Sequence, residues 1–367
     1  MQFIPIRVIF KYVFITIFFY INSGNEIAAQ GNFVPFNSRN LSYEGRIANT
    51  SEASILSWPG NSVSISFKGS SLKALIADTD TADYFNVIVD ETVIGKIHPG
   101  KDKKEIILVE GLPFTKHTVQ LFKRTESDKG NCIFYGFFLD KSSKLIIDKK
   151  VKKHTIEFYG DSISCGYGDE HPDGNSGEGF YENNYISFTA ITARHFNAHY
   201  SCIAKSGIGV TVSWFPLIMP EMYNRVIEND SVHEWDFKRN IPDIVIINLF
   251  QNDSWIINLT TNAQYIARFK GIILNDHFFI SAYRNLILKI RNEYPKARII
   301  CTLGSMDAVK DGSKWVKYIL KAKKELHDKK LYVHFFPYKN SGGHPNCLEQ
   351  LSMGNNLIKF INSNFNW

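Results

Sequence analysis

Cysteine is scarce in this 367-residue chain: there are five, at 132, 165, 202, 301 and 347, an odd number with no paired spacing. That excludes a disulfide framework and a cysteine-based zinc site, and leaves most of them as small core residues. Long blocks of like charge are also lacking. The formal net charge is +6, and KDKK (101–104) and KKVKK (149–153) read as solvated loops or linkers, so no nucleic-acid partner is expected. Nor is there an apolar run of membrane-spanning length; the uncharged run Tyr12 to Ile21 falls short of the roughly 20 residues a helical span needs. Internal repeats and low-complexity tracts are absent, which leaves an ordinary globular chain.

Near the start, Arg7 and Lys11 precede the uncharged run, and polar residues and the stretch AAQ (28–30) follow it. That is the order of a secretory signal, assigned here to residues 1–30. Cleavage after Ala29 or Gln30 removes Arg7, Lys11 and Glu26, so +6 becomes +5 as two positive charges and one negative charge leave. The first cysteine is Cys132, so no thiol stands near the cleavage region to carry a lipid. An exported protein is expected, periplasmic or extracellular, with no stable membrane anchor after signal removal.

With 44% hydrophobic residues the chain can bury a sizeable core, and its length favours two domains. Its 28 Phe and 17 Tyr favour sheets and apolar or sugar-facing surfaces. From Asn32 to Asp148 the apolar residues alternate in short segments. In SVSISF, Val63, Ile65 and Phe67 face one way and Ser62, Ser64 and Ser66 the other, as in a half-buried strand. YFNVIVDETVIGKI (84–97) reads as a hairpin turning at Asp90 and Glu91. A jelly-roll-like antiparallel β-sandwich over residues 31–150 follows. Beyond KKVKK, continuous apolar runs such as TIEFYG (155–160) and DIVIINLF (243–250) alternate with helical stretches such as NYISFTAITARHF (184–196) and FISAYRNLILKIRNEY (279–294). Strands buried on both faces and separated by helices make a parallel sheet in a three-layer α/β/α domain, assigned to 151–367, with ligands expected at the carboxyl ends of its strands.

Four short stretches fall at such ends. FYGDSISCGYG (158–168) offers Ser162 between glycines, and a serine becomes a nucleophile only with a base and a set of oxyanion donors. AKSGIGV (204–210) carries Gly207, where backbone can approach a ligand closely and an amide can point into a site. NLFQNDSW (248–255) carries Asn252, whose amide can donate to an oxyanion or close an Asx turn. SGGHPN (341–346) carries His344 in a glycine-flanked loop. Trp214, Phe215 and Trp255 follow the second and third stretches, where they could stack on a sugar ring or pack in the core. Asp161 reads as a brace for the serine turn rather than a base. His154 and His171 have no partner at metal-ligand spacing, so packing or surface roles are expected of them, and no metal or cofactor is called for.

In order and residue type the four stretches resemble the SGNH (GDSL) hydrolase superfamily. The resemblance implies Ser162 as nucleophile and His344 as base, with Ser162, Gly207 and Asn252 as the oxyanion hole. GDSISCGYGDE, SGIGV, MPEMYNR (219–225), YEGRI (43–47) and VEGLPFTKHTVQLFKR (109–124) further resemble carbohydrate esterase family two, whose jelly-roll domain precedes the hydrolase. That implies removal of acetyl groups from carbohydrates, with Trp214 and Trp255 as candidate substrate contacts. A lipid or aryl esterase of the same superfamily and a non-catalytic carbohydrate-binding protein are the alternatives. Two departures stand out. Ser341 occupies the position three before the histidine where many superfamily members have Asp, so either a backbone carbonyl or a remote carboxylate such as Asp307 must orient the ring. Phe250 and Gln251 stand where family members commonly have Gly-Thr, which could alter the pocket.

Overall fold

The computed structural model describes residues 32–147 and 152–367, so the expected signal at 1–30 and the expected boundary at 150/151 lie outside the described residues. The first strands are β1 (Asn32–Pro35), β2 (Leu41–Glu44), β3 (Ile47–Asn49), β4 (Ser54–Leu56), β5 (Ser62–Gly69) and β6 (Leu72–Asp78). They are followed by β7 (Phe85–Val89), β8 (Thr92–Ile97), β9 (Lys104–Val109), β10 (Thr115–Lys123), β11 (Cys132–Leu139) and β12 (Lys144–Leu145). Two antiparallel six-stranded sheets result. One runs β3-β4-β11-β6-β9 with β1 added to β11, and the other runs β12-β5-β10-β7-β8 with β2 added to β5. Val63, Ile65 and Phe67 meet Leu72, Phe134 and Phe137 in the core between the sheets. At the tip of the β7–β8 hairpin, Asp90 and Glu91 have φ of 48° and 71°, the left-handed pair a two-residue turn requires.

The outward face of β5 differs from the alternation expected. Ser62 and Ser66 are buried along with the apolar residues. The reason is tertiary: this sheet backs onto the second unit, where Phe122 of β10 packs edge-on to Tyr185 with ring centroids 5.1 Å apart. The serines are satisfied across strands, Ser66 with Thr118 at 2.8 Å and Ser62 with Gln120 at 2.9 Å, so the polar face tolerates burial. A buried ion pair, Arg46 to Glu157 at 2.9 Å, and the indole of Trp58 donating to the Val226 carbonyl at 2.7 Å tie the two units together.

The second unit is a five-stranded sheet of β13 (His154–Gly160), β14 (Ala198–Ala204), β15 (Ile244–Asn248), β16 (Arg298–Leu303) and β17 (Leu331–Phe335), ordered β14-β13-β15-β16-β17 and parallel throughout. Its helices are α1 (Ser162–Cys165), α2 (Phe188–His195), α3 (Met219–Met222), α4 (Gln251–Ile256), α5 (Ala263–Phe269), α6 (Asp276–Glu293), α7 (Lys314–Leu326) and α8 (Cys347–Asn364). Along β15, Val245 and Ile247 pack against α6 and α7, while Ile244 and Ile246 pack against α2 and α8. Both faces are covered, which is why DIVIINLF carries no polar alternation. The stretch 184–196 is less regular than a single helix: a 3-10 turn at Asn184–Ile186 precedes α2, whose first turn is capped by Ser187.

Candidate active site

Strand β13 pairs with β14 on one side and β15 on the other, and its last residue, Gly160, lies opposite both Ala204 and Asn248. Here the strand order reverses, which opens a crevice at the carboxyl ends of the strands. The loops carrying Ser162, Gly207 and Asn252 therefore leave the sheet side by side, and the loop after β17 brings His344 across to them.

Asp161 caps α1, its Oδ1 accepting from the Ile163 amide at 3.1 Å, so it braces the turn that presents Ser162. The Ser162 hydroxyl lies 2.9 Å from Nε2 of His344, within hydrogen-bond reach for proton transfer. The His344 amide donates to the Gly174 carbonyl at 3.1 Å, and the Tyr167 ring lies against the imidazole, centroids 4.6 Å apart. Gly174 has φ of +68°, and a Cβ there would sit 2.3 Å from the His344 carbonyl oxygen, so only glycine permits this approach. Burial pushes the His344 imidazole down from 6.5 to about 4; the Gly174 carbonyl opposes that shift, and the Lys339 ammonium adds to it.

No carboxylate among the described residues pairs with His344. Ser341 instead donates to Glu349 at 2.5 Å and accepts from Lys339 at 2.7 Å, and Asp307 is engaged by the Trp255 indole at 3.1 Å and by Lys310 at 2.6 Å. The backbone carbonyl of Gly174 is the group that favours the protonated ring. His344, Trp255, Asp307, Asn175, Tyr338 and Lys339 line an open cavity of about 380 Å³.

On the other side of Ser162, residues 205–208 form a β-turn closed by the Ile208 amide on the Lys205 carbonyl at 3.2 Å. Gly207 takes φ of +85° at the third position, as a type II turn demands. No acceptor among the described residues takes the Ser162 or the Gly207 amide. Asn252 is held in one orientation: the donor-only indole of Trp214 points at its Oδ1 (3.1 Å), and its Nδ2 donates to the Ile208 carbonyl at 2.9 Å. One Nδ2 proton thus remains for a ligand. Trp214 is 44% exposed beside Gly207, and Trp255 is half-buried at the cavity, so each has a ring edge or face available to substrate.

Phe250 points into the core and not into the cavity. Its side chain is buried against Tyr283 and Trp315, with centroids 4.6 and 4.9 Å away, and its backbone takes φ of 96°, a conformation that costs a bulky residue of order 1–3 kcal/mol. Core packing holds it there, and α4 starts at Gln251 as a result. His154 stacks on Trp367 and the His171 ring bonds Asp173, partners other than Ser162 and His344. Four residues escaped the sequence reading. Asp253, fully buried, accepts from the Val210, Thr211 and Val212 amides at 2.9, 2.7 and 3.3 Å and from the Thr211 hydroxyl. Its signal was its place directly after Asn252 at a strand end. Gly174 and Tyr167 lie in glycine-rich loop sequence that gives no contact information, and Glu126, which accepts from the Ser206 amide and hydroxyl, comes from the sandwich with no local signal at all.

Residues 43–147 match the family model for the carbohydrate esterase 2 N-terminal domain. The cellulase/esterase CelE of Acetivibrio thermocellus is 32% identical over 327 residues, 84% of this chain and 38% of that protein. An acetylxylan esterase/glucomannan deacetylase of Cellvibrio japonicus is 30% identical over 242 residues, 60% of this chain and 64% of its own length. The chain thus spans less than two thirds of either of these relatives. A solved family two carbohydrate esterase from Clostridium thermocellum, in complex with cellohexaose, superposes with a TM-score of 0.77 at 31% identity, covering 88% of this chain and 98% of that one. By that match along almost the whole of a solved relative, the chain belongs to carbohydrate esterase family two.

Proposed function

We propose that this protein is a serine esterase that removes acetyl groups from carbohydrates, with no metal or cofactor in the reaction. The observation that carries the reading is the Ser162–His344 hydrogen bond of 2.9 Å at the carboxyl edge of the sheet in a family two chain. His344 Nε2 takes the Ser162 proton as Oγ bonds to the acetyl carbon. The carbonyl oxygen becomes an oxyanion received by the Ser162 and Gly207 amides and the free Nδ2 proton of Asn252. The carbon–oxygen bond to the sugar breaks, and His344 returns its proton to the leaving alcohol. Water, deprotonated by the same imidazole, then releases acetate and restores Ser162.

A neutral, buried imidazole is a weak base, so the oxyanion donors carry a larger share of the rate than in a site with a carboxylate behind its histidine. The polar lining of the cavity, with Asn175, Asp307, Tyr338 and Lys339 beside Trp255, favours a sugar over a lipid chain. Trp214 and Trp255 are proposed as the sugar-facing rings. Export is part of the proposal, resting on the leader pattern of residues 1–30; no helix among the described residues is long and apolar enough to cross a membrane.

Acetate release from acetylated xylan and from an acetylated aryl ester, compared between the native protein and Ser162→Ala, tests the reading. Release from the glycan that vanishes in the variant is expected. Glycan binding without release from either ester would overturn it in favour of a binding protein.

A further inference from the structure

The segment after β10 leaves the sandwich and enters the hydrolase beside the 205–208 turn. Arg124, Thr125, Glu126 and Ser127 are all buried there. Glu126 holds Ser206 with both carboxylate oxygens: Oε2 accepts from the Ser206 amide at 2.5 Å, and Oε1 accepts from its hydroxyl. The next residue adds an indirect contact. Ser127 donates to Glu228, which holds Lys205 by an ion pair of 2.7 Å. Glu126 thus grips Ser206 directly, and Ser127 reaches Lys205 only through Glu228.

The turn needs a grip. The peptide between the two central residues of a β-turn can face either way, since type I and type II turns differ by its rotation. Facing one way it offers the Gly207 amide, and facing the other it offers the Ser206 carbonyl, which repels an oxyanion. Glu126 fixes the amide and the side chain of Ser206, the residue on the near side of that peptide. On the far side, Ile208 accepts from Asn252, and Asp253 takes the amides of residues 210–212.

We infer that Glu126, supplied by the β-sandwich, is a positioning residue that fixes this turn and with it the Gly207 amide, so that the sandwich completes the esterase site. The inference rests on Gly207 serving as the oxyanion donor in the proposed reaction. The grip needs hydrogen bonds and no net charge, because a glutamine at 126 can accept from the Ser206 amide and donate to its hydroxyl.

The test compares kcat and KM on an acetylated aryl ester for the native protein, Glu126→Ala, Glu126→Gln and Ser206→Ala, with melting temperatures and the affinity of an alkylboronic acid, which binds as a tetrahedral adduct. For Glu126→Ala, kcat should fall by about 10–100-fold, within the range for a lost or misplaced oxyanion donor. KM should stay within about 3-fold, and boronate affinity should fall in parallel with kcat. Glu126→Gln should stay within about 3-fold of native on every measure, and Ser206→Ala should lie between. A native kcat in Glu126→Ala overturns the inference, as does a loss carried by KM alone or one with unchanged boronate affinity. Should Glu126→Ala fail to fold, Glu126→Met, of similar volume without an acceptor, replaces it: a parallel fall in kcat and boronate affinity supports the inference, and a native kcat overturns it. Failure of the native protein to turn over any acetyl ester would count against the proposed reaction, whereas the boronate ratios would still decide the role of Glu126.

Discussion

The two sides of Ser162 are built on opposite electrostatic plans. On the base side stands a buried imidazole with a backbone carbonyl and, among the described residues, no paired carboxylate; Asp307 of the same cavity and Glu349 are committed to Trp255, Lys310, Ser341 and Lys339. On the oxyanion side, two buried carboxylates hold the loop, Glu126 on Ser206 and Asp253 on residues 210–212. Burial pushes the Glu126 carboxyl up to about 8 and raises that of Asp253, and the backbone amides and hydroxyls around them offset part of that cost. The difference teaches that, if the proposed roles hold, this site places its acidic groups where they aim neutral donors rather than where they strengthen the base. In the proposed reaction, catalysis leans on preorganised amides.

The comparison is broken most directly by removing the proposed proton-transfer pair itself. Ser162→Ala or His344→Ala should lower kcat by about 10⁴-fold or more with the fold retained, read by acetate release and by circular dichroism. Activity persisting in His344→Ala would move the base elsewhere. On the opposite side, Asn252→Ala should cost about 10²–10³ in kcat. Since Asn252 is the hinge between Trp214 and Ile208, the same variant should loosen the exposed indole, visible as a change in tryptophan emission.

The pH profile sharpens the contrast without a mutation. With His344 lowered to about 4 by burial, kcat/KM should stay level from neutral pH downward and fall only near pH 4. A limb near 6.5 would mean that a compensating charge reaches the ring. The sign for stability follows the same shift. Between pH 6.5 and 4 the unfolded chain takes up the imidazole proton and the folded chain does not, so this contribution to stability is complete above 6.5 and is lost as pH falls through that window. The smallest effect is expected from Ser341→Asp, which restores the acidic position common in the superfamily. Residue 341 faces Lys339 and Glu349, so kcat should change by less than about 3-fold. A gain of tenfold would show that the loop can bring a carboxylate to the imidazole.

Much of this was legible in one dimension. The strand runs of the second half read correctly because their centres are mostly buried on both faces, most completely in β15, and so carry a strong apolar signal. The hairpin at Asp90 and Glu91 read correctly because two-residue turns leave a local mark. The serines of β5 misled, because a polar strand face looks solvated unless one knows that a second unit covers it. The direction of the Phe250 side chain was not legible for a similar reason: Tyr283 and Trp315, tens of residues downstream, draw it into the core.

By itself the sequence determined the elements, their order and the four residue types at strand ends, because periodicity and turn chemistry act between neighbours along the chain. Only the tertiary structure decided what stands behind each of those residues. Gly174 meets His344 across 170 positions, and Glu126 meets Ser206 across 80. Such contacts depend on how layers dock, and docking is set by the summed burial of whole faces. No local pattern in the chain records which amide a distant carboxylate will hold.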